Sequence, residues 1–179
     1  MPITSEAGFI CPSDFNCMGY AVPASIGAKL AQPERDVVAI VGDGAFTMTC
    51  MELLTASRNN IGVVVYVFND GELSQIAQAQ ELPYNRKTCT IMGGLDIAGV
   101  AQATGAEYLE ILENDACPNV AQEALKIARS GRPVIVNVLI DYAKKTAFTK
   151  GTVQTNFKRF PVGTKMRFLG RAISRKITG

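Results

Sequence analysis

The 179-residue chain contains no histidine, so imidazole serves neither as a general base nor as a metal ligand within it. It has no C-x-x-C pair. Its five cysteines, Cys11, Cys17, Cys50, Cys89 and Cys117, are scattered and odd in number. That pattern reads as reduced thiols of a cytoplasmic protein rather than a disulfide framework or a zinc site. No apolar run reaches the roughly 18 residues expected of a membrane span. The start, MPITSEAG, lacks the basic and long apolar regions of a signal peptide. No G-x-x-x-x-G-K-[ST] occurs, which excludes a P-loop NTPase. No G-x-G-x-x-G stands in a strand-to-helix turn, which argues against a dinucleotide-binding domain. Acid is missing from one end: Lys144 to Gly179 holds ten Lys or Arg residues and no Asp or Glu. Residues 1–143 hold the other eight bases and all 16 acids, a balance of −8 hidden inside a net charge of +2.

What is present describes a globular chain, 47% hydrophobic and 19% charged. Its organising stretch runs from Val37 to Gly71, VVAIVGDGAFTMTCMELLTASRNNIGVVVYVFNDG. Val37–Val41 and Ile61–Phe68 are short, apolar and rich in β-branched residues, as buried parallel strands are. Each ends in a polar turn, Gly42-Asp43-Gly44 or Asn69-Asp70-Gly71, and Thr47–Arg58 between them reads as a helix. This is a β-α-β unit. Such a unit returns the chain to the sheet edge it left, so Asp43 and Asn69, 26 positions apart, are expected at the carboxyl ends of neighbouring strands. Open α/β sheets bind ligands at that edge. A carboxylate, an amide oxygen and a backbone carbonyl form a hard-oxygen set suited to Mg²⁺, and the turn after Gly42 opens a helix whose N-terminus attracts phosphate. A Mg²⁺-diphosphate site is the expectation.

Elsewhere, Ile3–Ser5 predicts a first strand ending near Ala7-Gly8, and Met18–Gln32 a helical region. Glu72–Glu81 is a helix or a loop ended by Pro83. Leu95–Thr104 predicts a helix with Gly105 as its C-cap, and Glu107–Ile111 a strand. A helix capped by Asn114 or Asp115 runs to about Arg129, and Pro133–Ile140 is a last buried strand. Five strands alternating with helices predict an α/β fold with a doubly wound, mostly parallel sheet and helices on both faces. The expected division is a domain over 1–143 and a basic tail over 144–179, in which Met166–Ile177 predicts a basic amphipathic helix.

GDG followed after about 25 residues by Asn-x-Gly resembles the cofactor motif of thiamine-diphosphate-dependent enzymes. MGYAVPASIGAKLA at Met18–Ala31 and MELLTA at Met51–Ala56 are similar to the text around that motif in the acetolactate synthase-like branch. The resemblance covers roughly residues 4 to 142 and is to the C-terminal, diphosphate-binding portion of such enzymes. It implies thiamine diphosphate and Mg²⁺ as cofactors, with Asp43, the Asn69 side chain and the Gly71 carbonyl as metal ligands. It implies backbone contacts from Gly42, Gly44, Ala45 and Phe46 to the diphosphate. Many relatives have serine where Ala45 stands, so one hydroxyl donor is absent here. Met18 is expected to wedge beneath the cofactor and hold its rings bent, a role that suits an adaptable side chain. Glu6 and Gln75 are candidate substrate-side groups. Gln75 stands near the position of an acid in superfamily decarboxylases, and an amide transfers no proton, which favours carboligation over a simple decarboxylation.

By the same resemblance the reaction begins with a 2-oxo acid, which loses carbon dioxide before the remaining fragment joins a second carbonyl or takes up a proton. The glutamate that activates the cofactor belongs to a different, pyrimidine-binding domain, usually of a neighbouring subunit, and no glutamate here has its context. The chain is thus expected to need a pyrimidine-binding partner domain or subunit, to act within a homo- or hetero-oligomer, and to turn over little alone. Two other readings stand beside this one: a 2-oxo acid decarboxylase subunit, and a non-catalytic α/β binding module acting through its basic tail. The tail is expected to pack on the acidic body or a partner chain, or to close as a flap over the diphosphate cleft. Nucleic acid and membrane are the less favoured uses, because no aromatic-basic interleaving or nucleic-acid module occurs.

Overall fold

The computed structural model describes residues 8–84, 86–141, 155 and 157–178. The expected first strand, Ile3–Ser5, and Glu6 lie outside the described residues. The elements run α1 (Ala21–Ala31), β1 (Val38–Gly42), α2 (Asp43–Thr49), a 3₁₀ turn (Cys50–Glu52), α3 (Leu53–Arg58), β2 (Val64–Asn69), α4 (Ser74–Tyr84) and α5 (Ile97–Thr104). Then come β3 (Glu107–Ile111), a second 3₁₀ turn (Asn114–Ala116), α6 (Cys117–Arg129), β4 (Val134–Leu139) and α7 (Val162–Thr178). The chain divides into two compact units, Met1–Val67 with Asp96–Val138, and Phe68–Leu95 with Leu139–Gly179.

The first unit is built on the sheet, whose strand order is β1-β2-β4-β3. β3 and β4 pair in parallel from Glu107 opposite Val134 to Ile111 opposite Val138. Val134 N–H donates to Val63 O at 2.8 Å at the head of β4, and Val64 N–H to Val37 O at 3.1 Å at the head of β2. Alternation along the strands sends Val64, Val134 and Val136 to the face covered by Ala124 and Ala128 of α6. Val65, Val67 and Ile135 point the other way and are also fully buried. Burying each contributes about 1.5–3 kcal/mol. Both faces of a parallel sheet are thus covered, the α/β arrangement that the alternating elements predict.

Local chemistry explains the helix boundaries. The Asp96 carboxylate accepts the Gly99 N–H at 2.9 Å and caps α5, which ends in left-handed Gly105 at φ +72°. α6 is not capped by Asn114 or Asp115. A 3₁₀ turn occupies those residues and Ala116 stands at the N-cap with no side-chain bond, while Pro118 sits in the first turn, where its missing N–H costs nothing. The first helix begins at Ala21 rather than Met18. Gly19 has φ +83°, outside the helical range, and a start at Ala21 leaves Pro23 in the first turn. α4 continues through Pro83 to Tyr84.

β1 departs from its expected burial. Among the described residues it is an edge strand, in which Ala39 and Val41 are buried while Val38 and Ile40 are exposed. Gly62 marks a close approach before β2: a Cβ there would stand 1.7 Å from the Ala128 carbonyl oxygen, inside the last turn of α6. Arg129 closes the same corner, donating from Nε to Asp36 Oδ1 at 3.0 Å and from a terminal nitrogen to Asp36 Oδ2 at 2.6 Å. That bond holds the Asp36 carboxyl below its ordinary pKa.

The second unit has a different texture. Leu73 N–H donates to Thr90 O at 2.8 Å and Met92 N–H to Gly71 O at 3.0 Å, flanking a bridge between Glu72 and Ile91. α4 packs against α7, and the Phe168 ring lies 6.1 Å from both Phe157 and Phe160.

Candidate functional site

The corner of the first unit where β1 meets α2 holds most of the expected cofactor residues. Gly42 ends the strand in extended geometry, φ −76° and ψ 155°, and Asp43 is already the first residue of α2. The helix therefore opens four residues earlier than Thr47. An acid at a helix N-terminus is favoured by the exposed N–H groups there, and Asp43 Oδ1 accepts the Gly44 N–H at 2.7 Å. Asp43 is only 7% exposed. Burying a carboxylate is costly unless it is paired, hydrogen-bonded or set on a cation. Ala45 is half-buried, and Phe46 is fully buried in the core, which anchors the turn beneath the helix start.

Gly42 tests whether an outside group fits this corner. Its φ is ordinary, and a Cβ there would meet nothing within 4 Å. The protein's own packing thus gives no reason for glycine, whereas a group approaching the backbone from outside does.

Met18 lies in a turn, not a helix, and is 45% exposed. The turn is pinned to the far end of α2: Thr49 Oγ1 donates to Gly19 O at 3.0 Å, and a Cβ at Gly19 would crowd Thr49 Cγ2 at 3.2 Å. Asp43 and the Met18-Gly19 turn are therefore held by opposite ends of one short helix. Six residue steps at ~1.5 Å place those ends about 9 Å apart.

The remaining expected ligands belong to the second unit. Asn69 is half-buried, and its backbone oxygen accepts the Ile140 N–H at 3.1 Å. Gly71 takes φ +72°, a conformation that glycine adopts without strain. Its carbonyl accepts from Met92 N–H at 3.0 Å. Asp70 accepts from Ser74 Oγ and from the Glu72 N–H, so it shapes the turn. Gln75 is exposed on α4. Glu72 accepts from Lys87 Nζ and from Thr90 Oγ1, both at 2.8 Å, and these two bonds lower its pKa, Lys87 foremost.

One polar group escaped the sequence reading. Asn137, buried in the valine-rich strand β4, donates to Tyr108 OH at 3.1 Å and to Glu110 Oε1 at 3.2 Å. Tyr108 OH donates to the same carboxylate at 2.9 Å, and burial foremost raises the tyrosine pKa. The signal for it was a lone amide in VIVNVL. Among the described residues no group of three or more His, Cys, Asp or Glu side chains is placed to hold a metal. All five cysteines are free thiols.

Comparison with known proteins decides the family. The model of the thiamine pyrophosphate enzyme C-terminal TPP-binding domain matches residues 1–138. The chain belongs to the thiamine pyrophosphate enzymes. It is 35% identical over 136 residues to the probable acetolactate synthase large subunit of Methanococcus aeolicus, covering 74% of this chain and 22% of that protein. It is also 35% identical over 126 residues to the acetolactate synthase of Bacillus subtilis, covering 70% and 22%. The chain thus spans under a quarter of the length of these relatives. The fold matches the thiamine diphosphate-dependent 4-hydroxybenzoylformate decarboxylase of Rhodococcus jostii with a TM-score of 0.64 at 23% identity, covering 69% of this chain and 23% of that one.

Proposed function

We propose that this chain supplies the diphosphate- and Mg²⁺-binding part, residues 1–143, of an acetolactate synthase-like enzyme acting on 2-oxo acids, and that it works with a pyrimidine-binding domain or subunit in an oligomer. The observation that carries this reading is the buried Asp43 carboxylate at the first residue of α2, beside an open Gly42, within the span that the family model matches. Asp43, the Asn69 amide oxygen and the Gly71 carbonyl would hold Mg²⁺, all hard oxygens. Backbone groups of Gly42, Gly44, Ala45 and Phe46 would hold the diphosphate. Met18, tethered at the other end of α2, would meet the ring end of the cofactor. Bound there, thiamine diphosphate supplies the carbanion chemistry that side chains cannot.

The chain's own share is to bind, orient and shield. Asp43 and Asn69 would hold the Mg²⁺ whose charge would offset that of the diphosphate. Phe46 keeps the diphosphate turn fixed to the core. Gln75, an exposed amide, holds or donates a hydrogen bond but relays no proton, which favours a carboligating outcome. Glu6 remains a proposed substrate-side group. Without a partner's activating glutamate the chain alone would turn over no 2-oxo acid.

Equilibrium dialysis against thiamine diphosphate, in Mg²⁺ and then in EDTA, tests the reading. Retention with Mg²⁺ and release by EDTA are expected. Retention indifferent to EDTA, or tighter retention of NAD than of thiamine diphosphate, contradicts it. So does robust decarboxylation by the purified single chain.

A further inference from the structure

The Asn69-Asp70-Gly71 turn is held at its exit by a short antiparallel pairing. Glu72 pairs with Ile91, the Gly71 carbonyl accepts the Met92 N–H at 3.0 Å, and the Leu73 N–H donates to Thr90 O at 2.8 Å. Ile91 packs little, being 77% exposed. A side-chain clip supplements the pairing. Glu72 Oε1 accepts from Thr90 Oγ1 and Glu72 Oε2 from Lys87 Nζ, both at 2.8 Å. The two bonds are not equivalent. Thr90 is 2% exposed, whereas the Lys87 side chain is 45% exposed. Leaving a buried hydroxyl's partner unmatched is costly, while an exposed ion pair contributes little. Thr90 also follows Cys89, whose φ is +55°, a conformation that a residue other than glycine holds only where its surroundings fix it.

The consequence falls on the Gly71 carbonyl. The bond from Met92 directs that oxygen, and Met92 belongs to the segment whose buried anchor is Thr90. Metal ions differ in how much such direction matters to them. Mg²⁺ demands near-octahedral oxygens at about 2.0–2.1 Å, whereas Ca²⁺ takes oxygens at about 2.3–2.6 Å in flexible geometry. A carbonyl released to wander would therefore weaken Mg²⁺ more than Ca²⁺.

We propose that Thr90 is a positioning residue: through its bond to Glu72 it fixes the Gly71 carbonyl, and so gives the metal site its preference for Mg²⁺ over Ca²⁺. The inference rests on the reading of Asp43, Asn69 and Gly71 as metal ligands. Thr90 itself acts only through the Glu72 clip and the strand it anchors. Lys87, on the exposed side of the same carboxylate, is not needed for the preference.

The test is equilibrium dialysis of the full chain against thiamine diphosphate, in Mg²⁺ and separately in Ca²⁺. Wild type should hold the cofactor more tightly in Mg²⁺. Thr90→Val should weaken binding in Mg²⁺ about tenfold and binding in Ca²⁺ less than about twofold. Thr90→Ser returns the hydroxyl and should return the Mg²⁺ affinity. Lys87→Met should shift either affinity by less than about twofold. Glu72→Met breaks the Thr90 bond from its other end and should show the same Mg²⁺-selective loss, which keeps the test decisive if Thr90→Val fails to fold. Equal weakening in both metals is the mark of a merely structural role and overturns the proposal. So do unchanged Mg²⁺ affinity in folded Thr90→Val, a loss that Thr90→Ser does not restore, and equal binding by wild type in the two metals. Absence of metal-dependent binding in wild type is a separate result: it removes the metal-site reading itself, and this inference with it.

Discussion

The two compact units differ in what holds them. The first buries Phe46, Leu53, Val64, Val65, Ile135 and Val136 around a four-stranded sheet. In the second, among the described residues, the fully buried apolar side chains reduce to Ala77. Its order comes instead from the Glu72–Lys87 and Glu72–Thr90 bonds, the Gly71–Met92 and Leu73–Thr90 backbone bonds, and a cluster of three phenylalanines. Polar contacts near a surface contribute less than apolar burial. The expected metal ligands are divided between these two textures. Asp43 belongs to the first unit, while Asn69, at the end of β2, and Gly71 belong to the second.

Core truncation sharpens this contrast most. Ile135→Ala should cost about 2–5 kcal/mol in global stability, read by denaturant unfolding. A loss under about 1 kcal/mol would mean that the sheet is not the principal source of stability. Gly62→Ala comes next. Its Cβ meets the backbone of Ala128, which cannot swing aside, so about 1–3 kcal/mol of overpacking is expected. Unchanged stability would contradict the close approach of β2's lead-in to α6.

Thr90→Val keeps the volume and removes the hydroxyl bond to Glu72, at a cost of about 1 kcal/mol. Hydrogen exchange should show the Leu73 and Met92 amides opening about fivefold faster, with the Val64 and Val134 amides unchanged. Equal acceleration in both sets would mean that the two units open together.

The smallest expected effect is on pH. Asp36 and Glu72 have folded pKa values below their ordinary ones. Each adds stability that is present above the unfolded value, near pH 4, and is lost as pH falls through the folded value. Asp36→Asn should flatten the acid limb of the stability curve of the first unit. An acid limb that steepens instead would reverse the sign assigned to the Arg129 pair.

The sheet was legible in the sequence wherever local pattern and tertiary context agree. Glu107–Ile111 is a strand as written, Gly105 is the α5 C-cap, and the long basic helix contains Met166–Ile177. Context decided the rest. Val38 and Ile40 read as buried because they are apolar, but their side of β1 is exposed in the folded chain. Met18 sits before an apparent helix start that the positive φ of Gly19 forbids, and a backbone dihedral is not visible in residue type alone. Asn114 and Asp115 are good caps by type, yet the chain closes a 3₁₀ turn there and Asp96 does the capping elsewhere. At the candidate site, Asp43 and the GDG turn were legible because a strand-to-helix corner constrains them strongly. The Asn137–Tyr108–Glu110 bonds were not, because they join residues from two strands whose register only the folded sheet fixes.

The most direct test is a thermal-shift titration with thiamine diphosphate, with and without Mg²⁺, on wild type and on Asp43→Ala, repeated with a pyrimidine-binding partner domain present. A ligand at 100 times its dissociation constant stabilises by about 2.7 kcal/mol, a rise of roughly 5–10 °C for a chain of this size. We expect a rise that requires Mg²⁺ and disappears in Asp43→Ala. No rise with the partner present, or a rise that Asp43→Ala leaves intact, would contradict the assignment of this corner to the cofactor.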